Sequence, residues 1–265
     1  MQILRAVLVM LDISGYTRFV KFHSTSLLHA EEIITELLEA VIDKAEYPLT
    51  IAKLEGDAVF LYAESPAGEE AAAATDVSTQ IDGMFTAFYA REQALVECRH
   101  GCVCEACQNI QQLKLKAFLH TGEIAIKQIR QFTEVAGQDV ILIHRLLKNS
   151  IPAREYILFT APFHALAGDY AGHTPERRAE TVTDFDPLDV LVYYPNIAVQ
   201  PEDIPAVRGT ELAARLNRYS FARMLLRRPR SEFNHLPATR VNLIEYLIDG
   251  IASGVNVLRQ QFTRG

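Results

Sequence analysis

Val7-Leu-Val-Met-Leu-Asp12-Ile-Ser-Gly15-Tyr-Thr17 is a run of strand-forming apolar residues that ends in a carboxylate and a turn. A second stretch, Lys53-Leu-Glu-Gly56-Asp57-Ala-Val-Phe60, has the same design. In each, an Asp stands where an apolar strand meets a turn, on a rigid element near the sheet edge. Two such carboxylates brought together form a hard-oxygen site for Mg²⁺ or Mn²⁺, the electrophile that phosphoryl chemistry requires.

The pattern around these stretches predicts a mixed α/β (α+β) domain. Residues 3–11 read as a buried strand. Ile33, Ile34, Leu37, Leu38, Val41 and Ile42 form a helical stripe within 28–45. Residues 49–53 and 58–63 flank Glu55-Gly56-Asp57 as a tight hairpin. Residues 69–90 are Ala-rich and favour helix. Residues 113–120 and 123–129 flank Thr121-Gly122 as a second hairpin-like pair. A helix is expected over 139–148 and a strand over 156–160. A third turn is expected at 184–187, between strands at 181–183 and 188–193. Helices covering an antiparallel-rich sheet fit this order.

The chain has 265 residues, with 49% apolar and 22% charged, and a net charge of −7. That balance suits a globular protein. It argues against nucleic-acid binding and against anionic membrane surfaces, both of which want a basic face. No export signal or membrane-spanning run stands out, so a cytoplasmic location is expected. The division expected is a catalytic-type domain over 1–195, a proline-bearing linker over 196–209 and a helical tail over 210–265. Gly250 and Gly254 lie four apart in the tail. It reads either as packed on its own domain or as a dimerisation or docking element.

All four cysteines fall in one window: Cys98, Cys102, Cys104 and Cys107. Four thiolates suit a structural tetrahedral Zn²⁺ that would fold a loop with little apolar surface to bury. An iron–sulfur cluster, redox-sensing thiols and reduced unliganded cysteines are the other readings of this 98–107 insertion. Disulfides within so short a loop do not suit a reducing cytosol.

The motifs together resemble the class III nucleotidyl cyclase catalytic domain, and more closely a bacterial branch of cyclase-like proteins bearing a cysteine cluster. The resemblance covers roughly residues 5–193. Asp12-Ile13-Ser-Gly15-Tyr-Thr17 is similar to the first metal motif of that family, and Lys53-x-x-Gly56-Asp57 to the second. His120-Thr-Gly-Glu123 is similar to the start of its next hairpin. Gly137-x-x-Val140-x-x-x-x-Arg145-Leu146 is similar to its late helix.

The resemblance implies a ferredoxin-like sheet with helices on one face and a head-to-tail homodimer with active sites at the interface. It implies that Asp12 and Asp57, with the Ile13 carbonyl, hold Mg²⁺ or Mn²⁺. Lys53 and Glu134 would select the base of a nucleoside triphosphate, a pair that suits adenine, so ATP is the expected substrate. Arg145 would stabilise charge on the transferred phosphoryl group. Two positions depart from the family. Its catalytic Asn is Ile141 here, and its late triphosphate-binding Lys has no counterpart in the acidic stretch 181–189. Lys148 and Asn149, just beyond Arg145, are candidates to replace the missing groups. Three readings follow: a metal-dependent cyclase; a cyclase homologue that keeps nucleotide or metal binding without turnover; or an interaction protein acting through the cysteine loop and tail.

Overall fold

The computed structural model describes residues 1–20, 24–98, 105–201 and 203–204. The expected helical tail, part of the linker, and Cys102 and Cys104 lie outside them. The chain divides into two compact units. One comprises Met1–Ser14, Ala40–Thr86 and Lys114–Ala198; the other comprises Gly15–Glu39, Ala87–Leu113 and Val199–Gly265.

The first unit is built on an eight-stranded sheet. Its strands are β1 (Gln2–Ser14), β2 (Thr50–Glu55), β3 (Ala58–Glu64), β4 (Lys114–Ile129), β5 (Phe132–Ala136), β6 (Tyr156–Thr160), β7 (Glu176–Glu180) and β8 (Leu188–Tyr193). They run in the order β2-β3-β1-β4-β6-β8-β7, with β5 paired to the distal half of β4. The β4–β6 pair is parallel and the other pairs are antiparallel. The expected α+β architecture is therefore present.

β1 is central and buried on both faces, which is why it reads as a continuous apolar run. Ala6, Leu8 and Met10 face one core. Phe60, Phe118, Leu158 and Val192 join them from neighbouring strands, and Val140, Ile143 and Leu146 cover them from helix α5 (Gln138–Leu146). A separate aromatic cluster is centred on Phe159. Its ring packs edge-on against Phe163 of α6 (Ala161–Ala167) at 4.7 Å and against Tyr193 at 5.0 Å.

The hairpin expected about Thr121-Gly122 does not form, because β4 runs unbroken through both residues. Gly122 serves packing rather than turning. A Cβ there would lie 2.1 Å from the Asp139 side chain. Asp139 fills that space and accepts from the Glu123 amide (2.7 Å) and from His120 Nε2 (3.2 Å). The true turn comes later, at Arg130-Gln131, and the strand after it, β5, was not expected. β7 likewise precedes the stretch 181–183 expected as a strand.

The second unit contributes the first part of α2 (Ser24–Ile42), the end of α3 (Glu70–Cys98), and the short helices α1 (Tyr16–Val20) and α4 (Glu105–Gln108). Within it, Arg91 pairs with the buried Glu36 at 3.3 Å. Tyr16 donates to Glu31 at 3.0 Å. Cys107 is fully buried on α4, and Cys98 ends α3. The expected zinc site rests in part on residues beyond the description, Cys102 and Cys104, and the described part of the cysteine window supplies no support for it. Among the described residues no three His, Cys, Asp or Glu side chains converge as a metal site. Among them no helix is long and apolar enough to cross a membrane.

Candidate functional site

Asp12 and Asp57 meet at one end of the β1–β3 ladder. Asp12 is the cross-strand partner of Ala58, next to Asp57. The Ile13 amide donates to the Asp57 carbonyl at 3.0 Å, fastening the hairpin turn to the end of β1. Gly56 (φ +68°) opens that two-residue turn, a backbone conformation that favours glycine. Burial pushes the Asp12 carboxyl up to about 6, and repulsion from Asp57 adds to it; Lys116 opposes both. Each unfavourable influence would be reversed by a cation between the two carboxylates. Mg²⁺ is commonly held by one or two carboxylates, with its other positions filled by water and phosphate. The residues present therefore fit that class of ion.

Lys116 carries no motif signal, yet β4 sets it directly across from Asp12. Its ammonium also sits 5.4 Å from the centre of the Tyr156 ring. Arg154 approaches the same strand end, with its guanidinium 3.5 Å from the Ser14 carbonyl. Two carboxylates and two cations thus share one corner of the sheet, the charge pattern expected for a metal–phosphate ligand. Only the strand register reveals Lys116, because its partner lies about a hundred residues away in sequence.

The expected base-selecting pair forms a second cluster. β2 is an edge strand with a register irregularity between Ile51 and Lys53. Lys53 is largely exposed, and its Nζ lies 2.8 Å from Glu55 Oε1. The Glu55 bond and charge raise the Lys53 pKa, and Glu134 of β5 adds to the rise. The structure thus brings Lys53 and Glu134 into one electrostatic neighbourhood. Glu55, which no motif pointed to, is the nearer carboxylate. For Glu55, burial acts upward, but the bond from Lys53 and the charge of His144 outweigh it and leave its carboxyl low.

Arg145 stands in the last turn of α5, where a cation suits the helix dipole. Its guanidinium is engaged by the β7–β8 turn, donating to the Thr183 carbonyl and pairing with Asp184 at 2.5 Å. Ile141 is half exposed on α5, so an apolar side chain is presented where the resemblance expected an amide. Asn149 is already committed. It donates to the Leu146 carbonyl (2.7 Å) and to Tyr156 Oη (2.6 Å), and it accepts from the Ile151 amide (2.9 Å). These bonds close the end of α5.

The sheet order and covering helices can be compared with solved structures. The adenylyl cyclase CyaB from P. aeruginosa superposes with a TM-score of 0.56 at 17% identity, covering 74% of this chain and 96% of that one. A bacterial light-regulated adenylyl cyclase gives 0.53 at 12% identity, covering 82% of this chain and 58% of that one. The guanylyl cyclase Cya2 gives 0.50 at 13% identity, with 72% and 92% covered.

The fold is cyclase-type.

At these identities the likeness concerns the fold alone. In sequence, the family model described as protein of unknown function DUF2652 matches residues 34–156. The uncharacterized protein Rv2561/Rv2562 of Mycobacterium tuberculosis is 39% identical over 127 residues, 48% of this chain. The chain spans 57% of the length of that relative. The matched family segment includes Asp57 and Lys53 and stops short of β7 and β8.

Proposed function

We propose that the cyclase-type unit binds a nucleoside triphosphate, with ATP the expected substrate, and converts it to a cyclic nucleotide as a homodimer. The observation that carries this reading is the pairing of Asp12 with Asp57 on a fixed strand end, with Lys116 across the ladder. Asp12 and Asp57, with the Ile13 carbonyl, would hold Mg²⁺ or Mn²⁺. Such an ion, when bound, acidifies a ribose hydroxyl and neutralises phosphate charge. Lys116 would meet phosphate oxygens, and its charge already lowers the cost of ionised Asp12. Lys53 would donate to a purine edge while Glu134 accepts from it. Arg145 would face charge developing on phosphorus once released from Asp184. Sites at the interface of two copies would let the Lys53 side of one protomer serve the Asp12 side of its partner.

A second reading is a nucleotide-binding module without turnover. Two observations favour it: the half-exposed Ile141 and the capture of Arg145 by an acidic turn. Loss of one positioning group and one charge-stabilising group costs on the order of 10²-fold each. Turnover with Mn²⁺ and each of ATP, GTP, CTP and UTP, read by mass spectrometry, decides between them. A cyclic product that vanishes in Asp57→Ala supports the enzyme. Binding of ATP without product supports the module. Product formed undiminished by Asp57→Ala overturns the metal assignment.

A further inference from the structure

We propose that His144 is a positioning residue for Lys53, acting through Glu55 and only in its imidazolium form. This rests on the base-binding role given to Lys53 above. His144 Nδ1 lies 2.7 Å from the Val140 carbonyl oxygen. A carbonyl only accepts, so Nδ1 carries a hydrogen. In a neutral ring, Nε2 would then present a lone pair. Nε2 lies 3.3 Å from Glu55 Oε2, an ionised acceptor. The two contacts are satisfied together only when both nitrogens are protonated. The other oxygen of the same carboxylate, Oε1, holds Lys53 Nζ at 2.8 Å. One carboxylate is thereby divided between a cation on β2 and a cation on α5.

The ring cannot readily turn away. Phe60 of β3 packs edge-on against it at 5.0 Å. The other charges nearby are accounted for by element. β2 supplies Glu55 and Lys53, and β5 supplies Glu134, which acts on Lys53. On α5 itself, Arg145 is turned to Asp184 and Asp139 is bonded to His120. β4 brings His120, whose other nitrogen is bonded to Thr160. Packing on Phe60 alone would be served by any ring, so the Nε2–Glu55 contact needs its own account.

With His144 protonated, Glu55 is anchored from α5, and Lys53 is held at a defined place on an otherwise exposed edge. With His144 neutral, the lone pair repels Oε2. Lys53 and Glu55 then remain a pair on one strand, a kind of surface contact that fixes little. Base recognition by Lys53 is therefore sharper when His144 carries both ring protons.

The test is a nuclear magnetic resonance titration of the isotope-labelled full chain without nucleotide or metal. Above the His144 midpoint, its ring nitrogens are expected in the Nδ1–H tautomer, the rarer form in solution. The Lys53 side-chain signals are expected to shift with the same midpoint, and that step is expected to vanish in His144→Phe, which keeps the ring on Phe60. A neutral ring in the Nε2–H form, or Lys53 signals that ignore the His144 titration, overturns the proposal. ATP affinity is then compared without divalent metal in the Asp12→Asn background, where no proton on residue 12 enters. It is expected to fall about threefold from the acid to the alkaline side, the size of one exposed ion pair, and to be flat in His144→Phe. Absence of ATP binding with the coupled titration intact removes the nucleotide role of Lys53 and leaves the His144–Glu55–Lys53 linkage standing.

Discussion

At the residue scale, Asp12 is the most consequential side chain. Its carboxyl sits near 6 in the folded protein against an ordinary value of 3.8. Folding therefore favours its protonated form. The stabilisation from that proton is complete below about pH 4 and is lost as pH rises through about 6. In metal-free protein, Asp12→Asn should raise stability at pH 7.5 by on the order of 1 kcal/mol, after allowance for partial exposure. Thermal melts of both proteins at pH 4 and pH 7.5 check this, since the gain should disappear at the acid end. Mn²⁺ should stabilise the wild type and not the variant.

Gly122 gives a sharper residue-scale expectation. Gly122→Ala places a methyl group into the Asp139 carboxylate, breaking its bonds to His120 and the Glu123 amide. The loss should be about 2–4 kcal/mol by denaturant unfolding, the range for overpacking combined with a broken, partly buried network. Gly83, which has open space around its Cβ position, is the natural control. Gly83→Ala in the α3 interior should stabilise, by up to about 1 kcal/mol.

At the scale of elements, α5 and the β7–β8 turn decide what Arg145 does. The turn carries Asp184 in a left-handed backbone conformation (φ +66°), and its carboxylate is mostly exposed. Asp184→Asn should change stability by less than about 1 kcal/mol, because exposed ion pairs contribute little. It should tighten triphosphate binding, measured by titration calorimetry, because it removes a negative charge and frees a guanidinium. Unchanged or weaker binding would separate Arg145 from the phosphate. The same helix presents Ile141 half exposed. Ile141→Asn there should leave the melting temperature nearly unchanged. If turnover occurs, it should raise kcat by on the order of tenfold or more.

At the scale of the whole molecule, the reading depends on two copies completing one site. Asp12, Asp57 and Lys116 occupy one corner of the sheet, while Lys53, Glu55, His144 and Glu134 form a separate cluster along the β2–β5 side. Mixing Asp57→Ala protein with Lys53→Ala protein should restore part of the activity that each lacks alone, because one of the two mixed sites is intact. A turnover assay on the mixture checks this, and sedimentation of the wild type should show a dimer.

The sequence by itself determined β1, the β2–β3 hairpin, α5 and the carboxylates at 12 and 57. Each is a local pattern: an apolar run, a Gly-Asp turn, a helical stripe opened by Gly137. Strand and turn propensities act over a few residues, so such signals survive without a fold. The tertiary structure decided the rest. Thr121-Gly122 looked like a turn because Gly is usually a breaker, and only the packing of Asp139 against it explains a continuous strand. Lys116 became a candidate site residue through register with Asp12, and Glu55 and His144 through the approach of α5 to an edge strand. Those relations are set by pairings between residues about ninety to a hundred apart in sequence. No local pattern encodes them, because a side chain's charge environment is fixed only when the sheet closes.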